Sequence, residues 1–260
     1  MEKLKVGLQL YGVRDAIAEN MDSAFERIKK MGYDYVEFAT CTFENKSVAE
    51  IKSLLDKHNL KIASAHMNPY SVLEKEEETL EMLKKLDIRY SVIPSLAPDT
   101  LVNKWDAFTS DFGKIGKILV ENGIQFLFHN HDRELKMKID GVTVLDKLYE
   151  AVSLDFLKPQ FDTCWVHYAG YEPTEYLKKY SSMVDVVHIK DYTIAQDEKG
   201  EQCIHFAPVG YGIMDWAKIL GACRENGTQY VIVEQDSCYD EDPFECARKS
   251  RNYLKETFEI

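Results

Sequence analysis

Nine polar residues fall where short apolar runs end: Gln9, Glu37, His66, His129, His131, Asp162, His188, Lys190 and Glu234, with Glu134 just beyond one of them. Asp162, His188 and Glu234 come from three successive runs and make a carboxylate–imidazole–carboxylate set without a thiolate. Such a set suits Mn²⁺, Co²⁺, Zn²⁺ or Mg²⁺ and argues against Cu(I) or an iron–sulfur cluster. The run before Asp162 ends in HNHDRE, which offers a fourth ligand three times over, as His129, His131 or Glu134. His129 and His131 share the parity of inward side chains, and Glu134 lies past the strand, where it could fold back. The residues do not choose among them. An open coordination position would let two substrate oxygens chelate the ion, which would then act as a Lewis acid. Each residue alone has an ordinary reading: a lone His66 is a rim histidine, and Asp162 caps the loop after its strand. Only the whole set, standing at one end of the strands, points to a shared site.

The elements that must position this set alternate along the chain. Strands are expected at 6–11, 33–40, 61–67, 89–96, 124–131, 157–165, 184–192 and 229–236. Helical patterns lie between them, at 21–31, 48–59, 71–87, 103–122, 143–153, 173–182 and 214–225, and a last one at 242–258 closes the chain. The strands are short apolar runs, as parallel strands buried on both faces should be. Eight such units match a (β/α)8 TIM barrel within one domain, 1–260, whose chemistry sits at the C-terminal strand ends. A doubly wound sheet would carry a Gly-rich turn after strand one, and LYGVRDAI has none. The long connection 192–213, ending in PVGYG, is a candidate lid. Trp105 and Trp216 anchor outer helices, and His58, His167 and His205 are peripheral.

The segments LQLYGVRD, GYDYVEF, SAH at 64–66, FHNHDREL, FDTCWV, VHIKD, PVGYGIMDW and VIVEQD together resemble the xylose-isomerase-like superfamily of sugar phosphate isomerases and epimerases, as an HNHDxE-type member. The resemblance covers nearly the whole chain and implies metal ligands Glu, Asp, His and Glu from strands five to eight. Three carry over as Asp162, His188 and Glu234. At the first, this chain has His129, with a Glu only at 134. The implied activity is metal-dependent isomerisation or epimerisation of a sugar through an enediolate. The alternative is elimination from a keto-glycoside, which shares the first proton abstraction. Glu234, Glu134, His131 and Lys190 are the expected catalytic residues. Gln9, Glu37 and His66 are expected to bind substrate, and His129, Glu134, Asp162, His188 and Glu234 to hold the metal.

Composition narrows the partners. With 32 basic against 44 acidic residues, the net charge of −12 disfavours nucleic acid. No apolar run is long enough to span a bilayer, so no membrane partner is expected. Six cysteines without a CxxC, and no secretory signal, point to reduced thiols in a cytoplasm. The expected partner is a small carbohydrate, and barrels of this kind often pair as homodimers.

Overall fold

The computed structural model describes residues 3–44 and 46–260. Its strands are β1 (Lys5–Gln9), β2 (Tyr35–Phe38), β3 (Lys61–His66), β4 (Tyr90–Ile93), β5 (Gln125–His129), β6 (Lys138–Ile139), β7 (Val142–Thr143), β8 (Lys158–Gln160), β9 (Val186–Ile189), β10 (Asp191–Gln196), β11 (Gln202–Ala207) and β12 (Tyr230–Val233). Eight of them form one parallel sheet in the order β8-β5-β4-β3-β2-β1-β12-β9. Its two edges meet at a single parallel bridge between Asp162 and His188, where the His188 N–H donates to the Phe161 carbonyl at 2.8 Å. The (β/α)8 barrel therefore closes at two of the residues singled out for chemistry.

Helices cover the outside because each presents an apolar stripe, such as Ile51 and Leu55 on Val48–His58 or Phe108, Phe112, Ile115 and Leu119 on Trp105–Glu121. Inside, the lower layer is apolar: Ala63, Tyr90, Val92, Leu127, Val186 and Ile232. Gly7 belongs there because a Cβ would come within 2.7 Å of Ile232. Among the described residues, no helix is long and apolar enough to cross a membrane.

Three elements differ from expectation. The helix expected at 71–87 is two helices, Ser71–Glu74 and Glu76–Lys85, broken where Lys75 leaves helical geometry (φ −145°, ψ 56°). The helix expected at 103–122 begins at Trp105, after a short Pro98–Asn103 helix. The connection 192–213 is largely the antiparallel hairpin β10–β11. Its last part is a pinned turn rather than a free lid. The Asp191 carboxylate accepts from the backbone N–H groups of Tyr192, Gly210, Gly212 and Met214 and from Trp216 Nε1. A Cβ at Gly212 would collide with that carboxylate, which explains the glycine of PVGYG.

Candidate metal centre and cavity

The centre is built around Glu37, which is fully buried. A register shift between Val36 and Glu37 sets Glu37 beside Ser64 of β3, and the β1–β2 pairing sets it beside Gln9. Its carboxylate accepts from Gln9 Nε2 (2.7 Å), Gln160 Nε2 (2.6 Å), His188 Nε2 (2.5 Å) and the Ser64 hydroxyl, and His66 Nε2, hydrogen-bonded to Gln160 Oε1, lies 2.9 Å from it. Burial alone would raise its pKa. The His188 and His66 imidazoles outweigh burial and hold the carboxyl well below the usual range.

Above Glu37, ligand atoms of His129, Asp162, His188 and Glu234 all lie within 4.8 Å of one another, and all four residues are buried. Burial, reinforced by the positive charges of His188 and Lys190, pushes the His129 pKa far down and favours its neutral form. Its Nδ1 lies 3.2 Å from Gln160 Oε1. Asp162 Oδ1 accepts from the Trp165 N–H, capping the helix Thr163–Tyr168. Asp162 Oδ2 is buried and has no hydrogen-bond partner among the described residues; Lys190 Nζ is 3.2 Å away but poorly aligned. An orphaned carboxylate oxygen beside two imidazoles and a second carboxylate is what a divalent cation would satisfy, so the residues fit a metal. His188 is flanked by Glu37 and by Glu234 Oε2 at 2.9 Å. Burial favours its neutral form, but the two carboxylates push its pKa up to about 10. A metal taking its Nδ1 would displace that proton.

Lys190 follows His188 on the same inward face. Its ammonium lies 2.9 Å from Glu234 Oε2 and 3.0 Å from Asp236 Oδ2, and it is almost fully buried. Burial alone would favour the free amine; Asp162, Glu234 and Asp236 override it and keep the lysine charged. His131 is pushed down to about 3, chiefly by burial and then by the Lys190 and Arg133 charges, so it stands neutral. Its Nδ1 has no partner among the described residues. His131, Lys190, Glu234 and Asp236 line a cavity of about 580 Å³ together with Tyr11, Thr40 and Cys41. That is room for a small polyhydroxylated molecule.

Of the sequence candidates, His66, His131, Lys190 and Glu234 reach the cavity together with His129. Three of the expected residues lie outside the ion cluster and the cavity lining. Glu134 is not in the metal cluster: its oxygens accept from the His131 N–H (2.8 Å) and from Arg133 Nε (2.9 Å), so it clamps the turn after β5. Gln9 and Glu37, expected to touch substrate, lie below the cavity and hold each other. Two residues were missed. Gln160 links Glu37 to His129, and its signal was its position two residues before Asp162 on one strand face. Asp236 anchors Lys190, two residues after Glu234.

Residues 25–257 match the family model of the xylose isomerase-like TIM barrel. The chain belongs to this family. It is 25% identical over 253 residues to an inosose dehydratase of Clostridium beijerinckii, with 81% of each chain covered. Among solved structures it is similar to a sugar phosphate isomerase/epimerase of Parabacteroides distasonis, with a TM-score of 0.81 and 21% identity over 98% of this chain and 99% of that one. It is also similar to the IOLI protein with a bound zinc atom, with a TM-score of 0.70 and 17% identity over 97% of each chain.

Proposed function

We propose that this protein is a divalent-metal-dependent isomerase or epimerase that acts on a small carbohydrate by removing a proton next to a carbonyl. The observation that carries this reading is the convergence of His129, Asp162, His188 and Glu234 in one buried cluster, two of whose members, His129 and Glu234, also line a sugar-sized cavity. A divalent ion held there would supply a Lewis acid for a substrate oxygen. The chain's own groups supply the proton chemistry. Glu234 places Oε2 on His188 and Lys190, and Oε1 takes no part in those bonds. Burial would raise its pKa, but Lys190 and His188 keep it ionised, so it can accept the carbon-bound proton. The Lys190 ammonium stands beside it to meet the negative charge that develops on the enediolate oxygen. Neutral His131, with its unpartnered Nδ1, faces the same space and can exchange a proton with a substrate hydroxyl.

A second reading is supported by one specific feature. His129 stands where the resemblance calls for a second metal-bound glutamate, which leaves Glu234 as the carboxylate base and Lys190 as an acid. One base and one acid suit β-elimination, in which the proton leaves carbon and a neighbouring C–O bond breaks to release water or an alcohol. The similarity to inosose dehydratases supports this outcome. We also place the enzyme in a cytoplasm, on its unpaired thiols, with no nucleic acid or membrane partner.

The test is incubation of the metal-loaded protein with free ketoses and with 3-keto-glycosides in D₂O, followed by NMR. Solvent deuterium at an inverted or shifted centre supports isomerisation or epimerisation. An unsaturated ketone with released water or alcohol supports elimination. No exchange or turnover on any polyhydroxy ketone would overturn both.

A further inference from the structure

Resting on the metal reading above, we infer that His129 makes the centre selective for a borderline ion of the zinc and cobalt class, bound through Nε2 of His129 and Nδ1 of His188. The assignment of nitrogens comes from groups with only one option. The Glu37 carboxylate can only accept, so the Gln160 group 2.6 Å from it is the amide NH₂. Gln160 Oε1 therefore faces His129 and His66, and it too can only accept. His129 Nδ1, at 3.2 Å from Oε1, carries the hydrogen and leaves the Nε2 lone pair free. That nitrogen lies 3.9 Å from the orphaned Asp162 Oδ2. His188 is oriented by the same carboxylate through its other nitrogen. Nε2 lies 2.5 Å from Glu37 Oε1, and Nδ1 looks toward Glu234. One buried glutamate thus fixes both imidazoles, His188 directly and His129 through Gln160, in opposite tautomers.

The resulting donor set is two nitrogens and two carboxylates. Neutral imidazole favours zinc, cobalt, nickel and iron, whereas magnesium and manganese favour an all-oxygen, more negative shell. A glutamate at 129 would add one negative charge to the set. Lys190 removes more of the field, because its ammonium lies within 3.2 Å of Asp162 and 2.9 Å of Glu234. A hard ion that depends on ligand charge loses more from this arrangement than one that gains from nitrogen donors.

Zinc outranks manganese at most sites, so the informative quantity is how the ratio moves. Dissociation constants for Zn²⁺, Co²⁺, Mn²⁺ and Mg²⁺ are measured on the full chain by competition with a chromophoric chelator, beside His129→Glu. The expected result is a manganese-to-zinc ratio of dissociation constants that falls at least about tenfold in the variant. Proton NMR of the Co²⁺-loaded protein gives a second readout. Two paramagnetically shifted, exchangeable imidazole N–H signals are expected, and one in His129→Glu. Gln160→Ala keeps every ligand and should speed solvent exchange of the His129 signal alone. An unmoved ratio, or a single shifted N–H in the unmodified chain, would overturn the inference while leaving the metal centre intact. No binding of any of the four ions would overturn the metal reading itself, and the inference with it.

Discussion

The two mouths of the barrel are made by the same eight strands and differ in what each strand places there. At the N-terminal end, Tyr35, Tyr90 and Tyr230 pack edge to face over Ala63, Leu127, Val186 and Ile232, with ring centroids 5.2 Å and 6.2 Å apart. A cavity of about 430 Å³ on that side is bordered by Lys52, Asp56, Asp87 and Arg89, which neutralise one another on the surface. At the C-terminal end the same strands bury Glu37, His66, His129, Asp162, His188, Lys190 and Glu234. Burying charge is unfavourable unless it is paired and hydrogen-bonded, and here nearly every polar atom is. Among the described residues at this end the exceptions are Asp162 Oδ2 at the ion cluster and, in the segments just after β5, β8 and β12, Asn130 Nδ2, His131 Nδ1, Trp165 Nε1 and Gln235 Oε1. The two ends thus differ in kind: one mouth is an apolar layer that stabilises the barrel, and the other gathers buried ionisable groups that could hold a metal.

Substitutions at the two ends should therefore act on different observables. The largest effect is expected for Glu234→Gln, which removes the proposed base. Turnover should fall about 10²–10⁴-fold in steady-state assays, with the circular dichroism spectrum unchanged. Full retention of activity would remove Glu234 from the chemistry. Next is Ile232→Ala in the apolar layer, expected to cost about 2–5 kcal/mol in denaturant unfolding while leaving metal affinity as it was.

Glu37→Gln should act between these extremes. Metal affinity is expected to fall about 10–100-fold by calorimetry, because both imidazoles lose their common anchor. The substitution also has a pH signature. Glu37 is held below its ordinary pKa, so its stabilising contribution is present above about pH 4.3 and is lost as pH falls through its lower folded value. The melting temperature of the variant should therefore fall at neutral pH and depend less on pH in the acid range. The smallest effect is expected for Glu134→Gln. Stability should drop by about 1–3 kcal/mol, since the His131 turn loses a charged acceptor, and metal affinity should stay unchanged. A fall in affinity would return Glu134 to the ligand set.

Much of this division is legible in the amino-acid sequence alone. Parallel strands buried on both faces read as apolar runs, and period-two parity aligns His129 with His131 and His188 with Lys190. The barrel and the Asp162, His188 and Glu234 convergence come from those two rules. Gln160 was not legible as a site residue because a neutral amide carries no chemical signal of its own. Its importance comes from lying between a carboxylate and an imidazole from other strands. Glu134 was ambiguous because a carboxylate five residues past His129 can fold back or cap its own turn, and only packing decides. The β10–β11 hairpin was hidden because its strands are half exposed and carry QDEKGEQ at their junction, which reads as loop. Asp197 fixes that turn by accepting from the Lys199 and Glu201 N–H groups.

If the C-terminal mouth holds one divalent ion on His129, Asp162, His188 and Glu234, elemental analysis of the purified chain beside Asp162→Ala tests it most directly. About one zinc, cobalt or manganese per chain is expected in the unmodified protein, with loss of that ion in the variant. No ion after loading, or the same content in both proteins, would contradict the metal centre.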